Sequence, residues 1–303
     1  MTQTALVLGG SGRFGRNMAQ AFTNAGWQVR LFDRDHDDLT TAAAGADIIV
    51  NGWNPPYHRW TAEVAGLTQQ VIAAARAAGS TVIVPGNVYV FGKDAPRTLT
   101  SETPHDARNP LGRVRIAMEA AFRDSGVQTI VLRAGDFLDT RASGNWFDMI
   151  IAAKVGKGRL VWPGDPDAAH AFAFLPDMAR AAVALAQRRD RLPRFSDLPY
   201  GGLTLTGRSL AAAVARVTGR PVRLSRFNWW PLRLLSPVWP LARGILEMRY
   251  LWSKPHRLDG AALARLLPDH VDTPLDAAIA SALQVQIDPD QPVARGGVAV
   301  AAQ

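Results

Sequence analysis

Seven residues near the start of the chain, Gly9-Gly10-Ser11-Gly12-Arg13-Phe14-Gly15, limit its architecture more than any other feature. An apolar run of buried-strand type, Thr4-Ala5-Leu6-Val7-Leu8, feeds directly into them, and Phe14, Met18, Ala21 and Phe22 then recur on one face at helical spacing. A strand that turns into a helix within so few residues needs glycine wherever a side chain has no room. Gly9, Gly12 and Gly15 fit the spacing GxxGxxG, with Ser11, Arg13 and Phe14 completing the turn. Amides at the start of the helix attract negative charge, and bare backbone lets a pyrophosphate approach closely. A plain strand-to-helix turn shares the local pattern, but the position straight after an N-terminal strand, with Gln28 to Phe32 as the next strand, favours phosphate binding.

Asp33 ends that second strand, 18 residues after Gly15, where a carboxylate accepts hydrogen bonds from an adenosine ribose. This favours NAD(H) over NADP(H), since the carboxylate repels a 2′-phosphate, although Arg34 and Arg13 offer compensating charge. A short helix stopped by Gly45 leads to the strand Asp47 to Asn51. The loop Gly52-Trp53-Asn54-Pro55-Pro56-Tyr57 then leaves the carboxyl end of a parallel strand, where ligands of doubly wound sheets bind; a rigid proline turn without a ligand is the alternative. A helix from His58 to Ala78 and a strand from Thr81 to Pro85 follow. The expected fold is α/β, a Rossmann-type doubly wound parallel sheet with a small, mostly helical C-terminal substrate or cap region.

Composition narrows the chemistry. With 303 residues, 48% of them hydrophobic, the chain can bury a large core, and with no cysteine it has no disulfide, thiolate nucleophile or zinc-thiolate site. The six histidines are scattered, so no metal is expected. The net charge of +8 comes from arginines spread along the chain rather than from one basic element, which argues against a nucleic-acid partner. The first strand begins at once, so a cytoplasmic protein without a cleaved leader is the expectation.

The glycine loop, Asp33 and several later motifs resemble the extended or atypical short-chain dehydrogenase/reductases, also called the NAD-dependent epimerase/dehydratase family, over about residues 4 to 284. The family places a further strand and helix after the second strand. Here only the 13 residues 34–46 intervene, so one outer strand-and-helix unit is expected to be absent. The segment Gly86-Asn87-Val88-Tyr89-Val90-Phe91-Gly92 is similar to the family's S-S-x-x-V-Y-G. The resemblance puts Asn87 at the hydroxyl position, where its amide can still donate to a carbonyl or developing oxyanion. It puts Tyr89 where sugar dehydratases carry an acid, which makes Tyr89 the candidate proton donor, with pocket shaping or packing as the alternative. Registering Glu119 on the family's helix glutamate sets Leu111 at the tyrosine of Y-x-x-x-K and Arg115 at its lysine. Leucine transfers no proton; arginine can hold the nicotinamide ribose but titrates too high for acid-base work. By the same resemblance Ala134 and Gly135 pass the nicotinamide end of the cofactor; Asp136 after them either faces the substrate or only makes loop hydrogen bonds, and Tyr57, Asn145, at the start of a helix lining the cleft, and His170 are the other candidates toward the substrate. His170 stands seven residues before Asp177, where nucleotide-sugar enzymes commonly carry a diphosphate-binding arginine.

From Phe227 to Trp252 the chain is rich in tryptophan, leucine and proline, but prolines and interior charges interrupt every apolar run, so no membrane span is expected. Broken amphipathic helices capping the substrate cleft fit best, with peripheral membrane contact through residues 228–252 as an alternative. The organisation reads as a dinucleotide-binding core over 1–175, a remaining core helix plus cap region interleaved with it over 176–284, and a flexible tail over 285–303. Three functions stay open: an NAD(P)-dependent oxidoreductase acting on a carbonyl or hydroxyl of a small, apolar or non-nucleotide substrate; a non-catalytic redox-sensing regulator; and a nucleotide-sugar epimerase or dehydratase. A homodimer is compatible with each.

Overall fold

The computed structural model describes residues 2–287, with side chains described through residue 284. The six strands of the central sheet are β1 (Thr4–Leu8), β2 (Gln28–Leu31), β3 (Ile48–Asn51), β4 (Thr81–Gly86), β5 (Thr129–Arg133) and β6 (Phe195–Pro199). All pair in parallel, in the order β6-β5-β4-β3-β1-β2. The helices are α1 (Arg13–Asn24), α2 (Leu39–Ala43), α3 (Trp60–Ala78), α4 (Pro110–Asp124) and α5 (Leu175–Gln187), then α6 (Gly207–Thr218), α7 (Trp230–Leu235), α8 (Pro240–Glu247), α9 (Ala261–Leu266) and α10 (Leu275–Ile287).

Alternation along β1 sorts the two faces. Ala5 and Val7 join Phe14, Met18 and Phe22 of α1 and Met178 of α5 in one core cluster, whereas Leu6 and Leu8 join Trp60 and Val64 of α3 and Phe122 of α4 in the other. Both faces are covered by helices, as an all-parallel sheet requires. The chain runs outward from β1 to β2 and then returns to the other side of β1 as β3, so the direction of winding reverses between β1 and β3. The strand-and-helix unit expected to be absent is absent: the five-residue α2 is all that joins β2 to β3, and β2 forms the edge of the sheet.

Several boundaries differ from the sequence expectation. β2 ends at Leu31, although the Phe32 amide still donates to the Val7 carbonyl at 3.0 Å, so Asp33 lies just beyond the strand. The helix expected from His58 starts at Trp60, after a 3-10 turn at Tyr57–Arg59. β6 was not legible: Phe195-Ser196-Asp197-Leu198-Pro199 has no β-branched residue and ends in proline, which donates no ladder hydrogen bond. Asp136 lies not in a loop but in the strand Asp136–Leu138, which pairs with His170–Phe174. The last helix continues to Ile287, past the position where a tail was expected to start; the rest of that tail, 288–303, lies outside the described residues.

One close backbone contact fixes the sheet against the turn. A Cβ at Gly15 would sit 2.2 Å from the Gly9 carbonyl oxygen, and one at Gly52 would sit 2.4 Å from that of Leu8. Gly15→Ala must therefore push α1 off β1 and should cost about 2 kcal/mol or more in urea unfolding. Gly66→Ala, at an exposed position of α3 with nothing within 4 Å, should add about 0.5–1 kcal/mol. Equal stability of the two variants would contradict this contact.

Candidate active site

The crevice where the winding reverses holds a cavity of about 250 Å³. Its floor near β1 is the turn residues Gly12, Arg13 and Phe14; Asn51, Gly52, Trp53 and Asn54 follow β3. Toward β4 and β5 it is bounded by Gly86, Asn87, Arg115 and Gly135. Ten residues singled out from the sequence thus meet on one surface, which also includes Asn51, Met118, Phe137 and Ser143 that the sequence did not mark. Gly9 and Gly15 lie beneath the turn, whose Gly12 amide donates to the Gly9 carbonyl at 3.0 Å. Ser11 is exposed, and buried Ala134 donates its amide to the Gly86 carbonyl at 3.0 Å.

Three buried polar atoms in this lining lack a hydrogen-bond partner: Arg13 Nη1, Asn51 Oδ1 and Arg115 Nε. Unpartnered buried groups are costly and call for a ligand or water. Arg13 Nη2 donates to the Ser143 carbonyl at 2.8 Å. Burial lowers the Arg13 pKa, opposed by the charges of Asp148 and Asp139. Arg115 donates to the Pro85 carbonyl and lies over the Trp60 ring; burial lowers its pKa too, opposed by Glu119. Glycine backbone on one side and unpartnered guanidinium and amide groups on the other match a dinucleotide with anionic phosphates and ribose hydroxyls.

Near the end of β2, Asp33 is exposed; its Oδ1 accepts from the Asp35 amide at 3.0 Å, and its own amide donates to Asp37 Oδ2 at 2.8 Å. Arg34 lies 4.8 Å over the Trp53 ring, which meets Phe32 edge-on. In sequence Arg34 stands among four carboxylates, Asp33, Asp35, Asp37 and Asp38.

The catalytic candidates split across a short 3-10 turn, Val88–Phe91. Asn87 caps it, its Oδ1 accepting from the Tyr89 amide at 3.1 Å, and faces the 250 Å³ cavity. Tyr89 faces a second, water-sized cavity of about 10 Å³ shared with Asp136, Trp146, Met248, Leu251 and Trp252. Its hydroxyl is 2.5 Å from that of Tyr57, and burial, the Tyr57 phenol and Asp136 together raise its pKa well above the ordinary tyrosine value. His170 is buried, with Nε2 2.5 Å from Asp136 Oδ2 and its ring stacked on Trp252 at 4.1 Å. Its neighbour His256, 4.5 Å away, is held neutral by burial and by His170, its pKa falling to about 3. Asn145 reaches neither cavity: its Oδ1 accepts from the Asp148 amide at 3.0 Å and its Nδ2 donates to Ser143 Oγ at 3.0 Å, shaping the loop.

The sequence reading missed the charge cluster that carries this site. Fully buried Arg133, last residue of β5, donates to both oxygens of Glu119 (3.2 and 2.7 Å) and of Asp197 (3.0 and 2.6 Å), and to the Asn87 carbonyl at 2.6 Å. His105 Nε2 is 3.3 Å from Asp197. His105, Glu119 and Asp197 converge as metal ligands would, but the Arg133 guanidinium already supplies the cation between the two carboxylates. An arginine closing an otherwise apolar strand was the available signal.

The sequence model of the NAD dependent epimerase/dehydratase family matches residues 41–197, more than half of the chain, starting after the glycine turn. Among curated proteins none matches. The solved structures similar to it include UDP-glucose 4-epimerase from Bifidobacterium longum in complex with NAD+ and UDP, with TM-score 0.72 and 16% identity over 94% of this chain and 98% of that one. UDP-glucuronic acid 4-epimerase from Bacillus cereus in complex with NAD is also similar (TM-score 0.69, 13% identity, 94% and 99% covered). So is a nucleoside-diphosphate-sugar epimerase from Pseudomonas aeruginosa (TM-score 0.70, 17% identity, 96% and 99%). At such identities the likeness is one of fold.

Removing Arg133 strands two buried carboxylates, so Arg133→Met should cost about 3–5 kcal/mol in urea unfolding; a loss below about 1 kcal/mol would deny the cluster its role. Burial alone would raise the Asp197 pKa, but the Arg133 charge and the hydrogen bonds from His105 and Arg133 prevail and lower it. The resulting stabilisation is complete above the unfolded aspartate value and is lost as pH falls through the folded one. Stability of the wild type should therefore fall more steeply than that of Asp197→Asn below about pH 4.

Proposed function

The chain belongs to the NAD dependent epimerase/dehydratase family, and on that premise we propose that it is an NAD(H)-dependent oxidoreductase reducing a carbonyl of a small, apolar substrate. The observation that carries this reading is the single cavity joining the glycine turn to Asn87 and Arg115, with three unpartnered polar atoms along it. Gly12 to Phe14 and Gly52 to Asn54 would hold the pyrophosphate and adenosine, and Arg115 the nicotinamide ribose. The four carboxylates after β2 oppose a 2′-phosphate more strongly than Arg34 attracts one, which favours NAD(H) over NADP(H). A bound nicotinamide supplies the hydride.

This chain's residues would supply the rest. Asn87, which lines the large cavity and accepts from the Tyr89 amide, would donate to a substrate oxygen. Tyr89, which faces the separate small cavity, would give the proton to a substrate that reaches both. A tyrosine whose pKa is raised stays protonated and remains a competent acid toward an alkoxide, which is more basic than any phenol. The Tyr57 hydroxyl at 2.5 Å steadies the Tyr89 hydroxyl and connects it to a second proton-bearing group. Trp146, Met248, Leu251 and Trp252 line the small cavity, which has room for about one water and would have to widen to admit the apolar end of a substrate.

A second reading, a nucleotide-sugar epimerase, is favoured by the UDP and UDP-sugar complexes among the similar structures. The diphosphate subsite weighs against it: His170 stands where the resemblance implies arginine, and its ring is engaged by Asp136 and Trp252.

Loss of NADH absorbance with a panel of short aliphatic and aromatic aldehydes and ketones tests the proposal. With any substrate found, Tyr89→Phe should lower kcat about 100-fold or more while NADH affinity stays unchanged. An unaltered kcat would remove Tyr89 from proton transfer. NADH binding with no turnover of any carbonyl would favour the regulatory alternative.

A further inference from the structure

Segment 198–246 of the sequence contains no aspartate or glutamate and seven arginines: 208, 216, 220, 223, 226, 233 and 243. Arg208 pairs with Asp167 and Arg216 with Asp276; among the described residues the other five form no ion pair. The same segment carries most of the exposed apolar bulk. Of the seven large apolar side chains exposed among the described residues, four lie within residues 230–238: Trp230 (63% exposed), Leu234 (70%), Leu235 (45%) and Val238 (81%).

This tip is built to stay exposed. Beneath it Trp229 is buried and donates its indole N–H to the Pro163 carbonyl at 2.6 Å, and Leu241 and Ile245 of α8 are buried in the core cluster. Arg243 pins the connecting loop by donating to the Ser236 and Pro237 carbonyls at 2.9 and 3.3 Å. The apolar side chains of α7 therefore project from a fixed base beside Arg226 and Arg233, which are exposed.

We propose that α7 and the loop after it dock the protein on an anionic lipid bilayer. Tryptophan and leucine side chains entering the headgroup region, rimmed by arginines with no neighbouring acid in sequence, fit such a surface. The six-residue α7 lies on the bilayer rather than crossing it, and no helix among the described residues is long and apolar enough to span one. Four side chains expose less than the roughly 800 Å² per partner that a stable dimer covers, which disfavours a second copy as the occupant. Uncompensated arginines likewise disfavour a purely apolar one.

The test is co-sedimentation of the full chain with vesicles of phosphatidylcholine alone and of equal phosphatidylcholine and phosphatidylglycerol. Binding should appear with the anionic vesicles and fall with added salt. Trp230→Ser with Leu234→Ser should weaken it about tenfold or more. Arg226→Gln with Arg233→Gln should weaken it about fivefold per charge removed. All four positions are exposed, so the thermal midpoint of each variant should match wild type, which separates lost docking from misfolding. No recovery with anionic vesicles at low salt would overturn the proposal, as would undiminished binding by the serine variant. A concentration-dependent dimer that the serine variant disperses would assign the tip to a second copy instead.

Discussion

The contact of bare backbone at Gly9, Gly15 and Gly52 sets the position of everything around it. A methyl group at Gly15 or Gly52 would fall within 2.4 Å of a carbonyl oxygen, so β1, the first turn of α1 and the loop after β3 can meet only without side chains. That approach opens the crevice at the one place in the sheet where the winding reverses, between β1 and β3. The glycine spacing, the start of α1 and the cavity are consequences of a single steric constraint, and the ligand that best exploits exposed amides in such a crevice carries phosphates.

Arg133 performs the corresponding task at the other end. It draws Glu119 from α4, Asp197 from β6 and the Asn87 carbonyl onto one guanidinium, so the turn bearing Asn87 and Tyr89 is fixed to three separate elements. A buried ion group of this kind adds little net stability over an apolar equivalent, but breaking it is expensive. It therefore specifies geometry. Where the resemblance implies tyrosine and lysine on one helix, this chain has Leu111 and Arg115, and the turn fixed by Arg133 carries Tyr89, whose hydroxyl is paired with that of Tyr57.

The parts of this organisation legible in sequence were those governed by local rules. The glycine turn, the apolar run of β1 and the short connection after Asp33 pointed to the parallel sheet and its missing outer unit, since each is decided within about twenty residues. Strand β6 escaped because burial of Phe195-Ser196-Asp197-Leu198-Pro199 against β5 overrides a composition that does not favour strands. The Arg133 cluster escaped for a related reason: His105, Glu119 and Asp197 are far apart in sequence, and only the fold makes them neighbours. Position 136 was marked for its carboxylate, but its pairing with His170 depends on two strands meeting in a small second sheet.

Thermal unfolding of the purified chain with NAD(H), NADP(H) or UDP-glucose tests most directly whether the crevice is a dinucleotide site, because a ligand that binds only the folded state raises the midpoint. A shift of several degrees with NAD(H), a smaller one with NADP(H) and none with UDP-glucose is the predicted result. No shift with either dinucleotide at millimolar concentration would contradict the account.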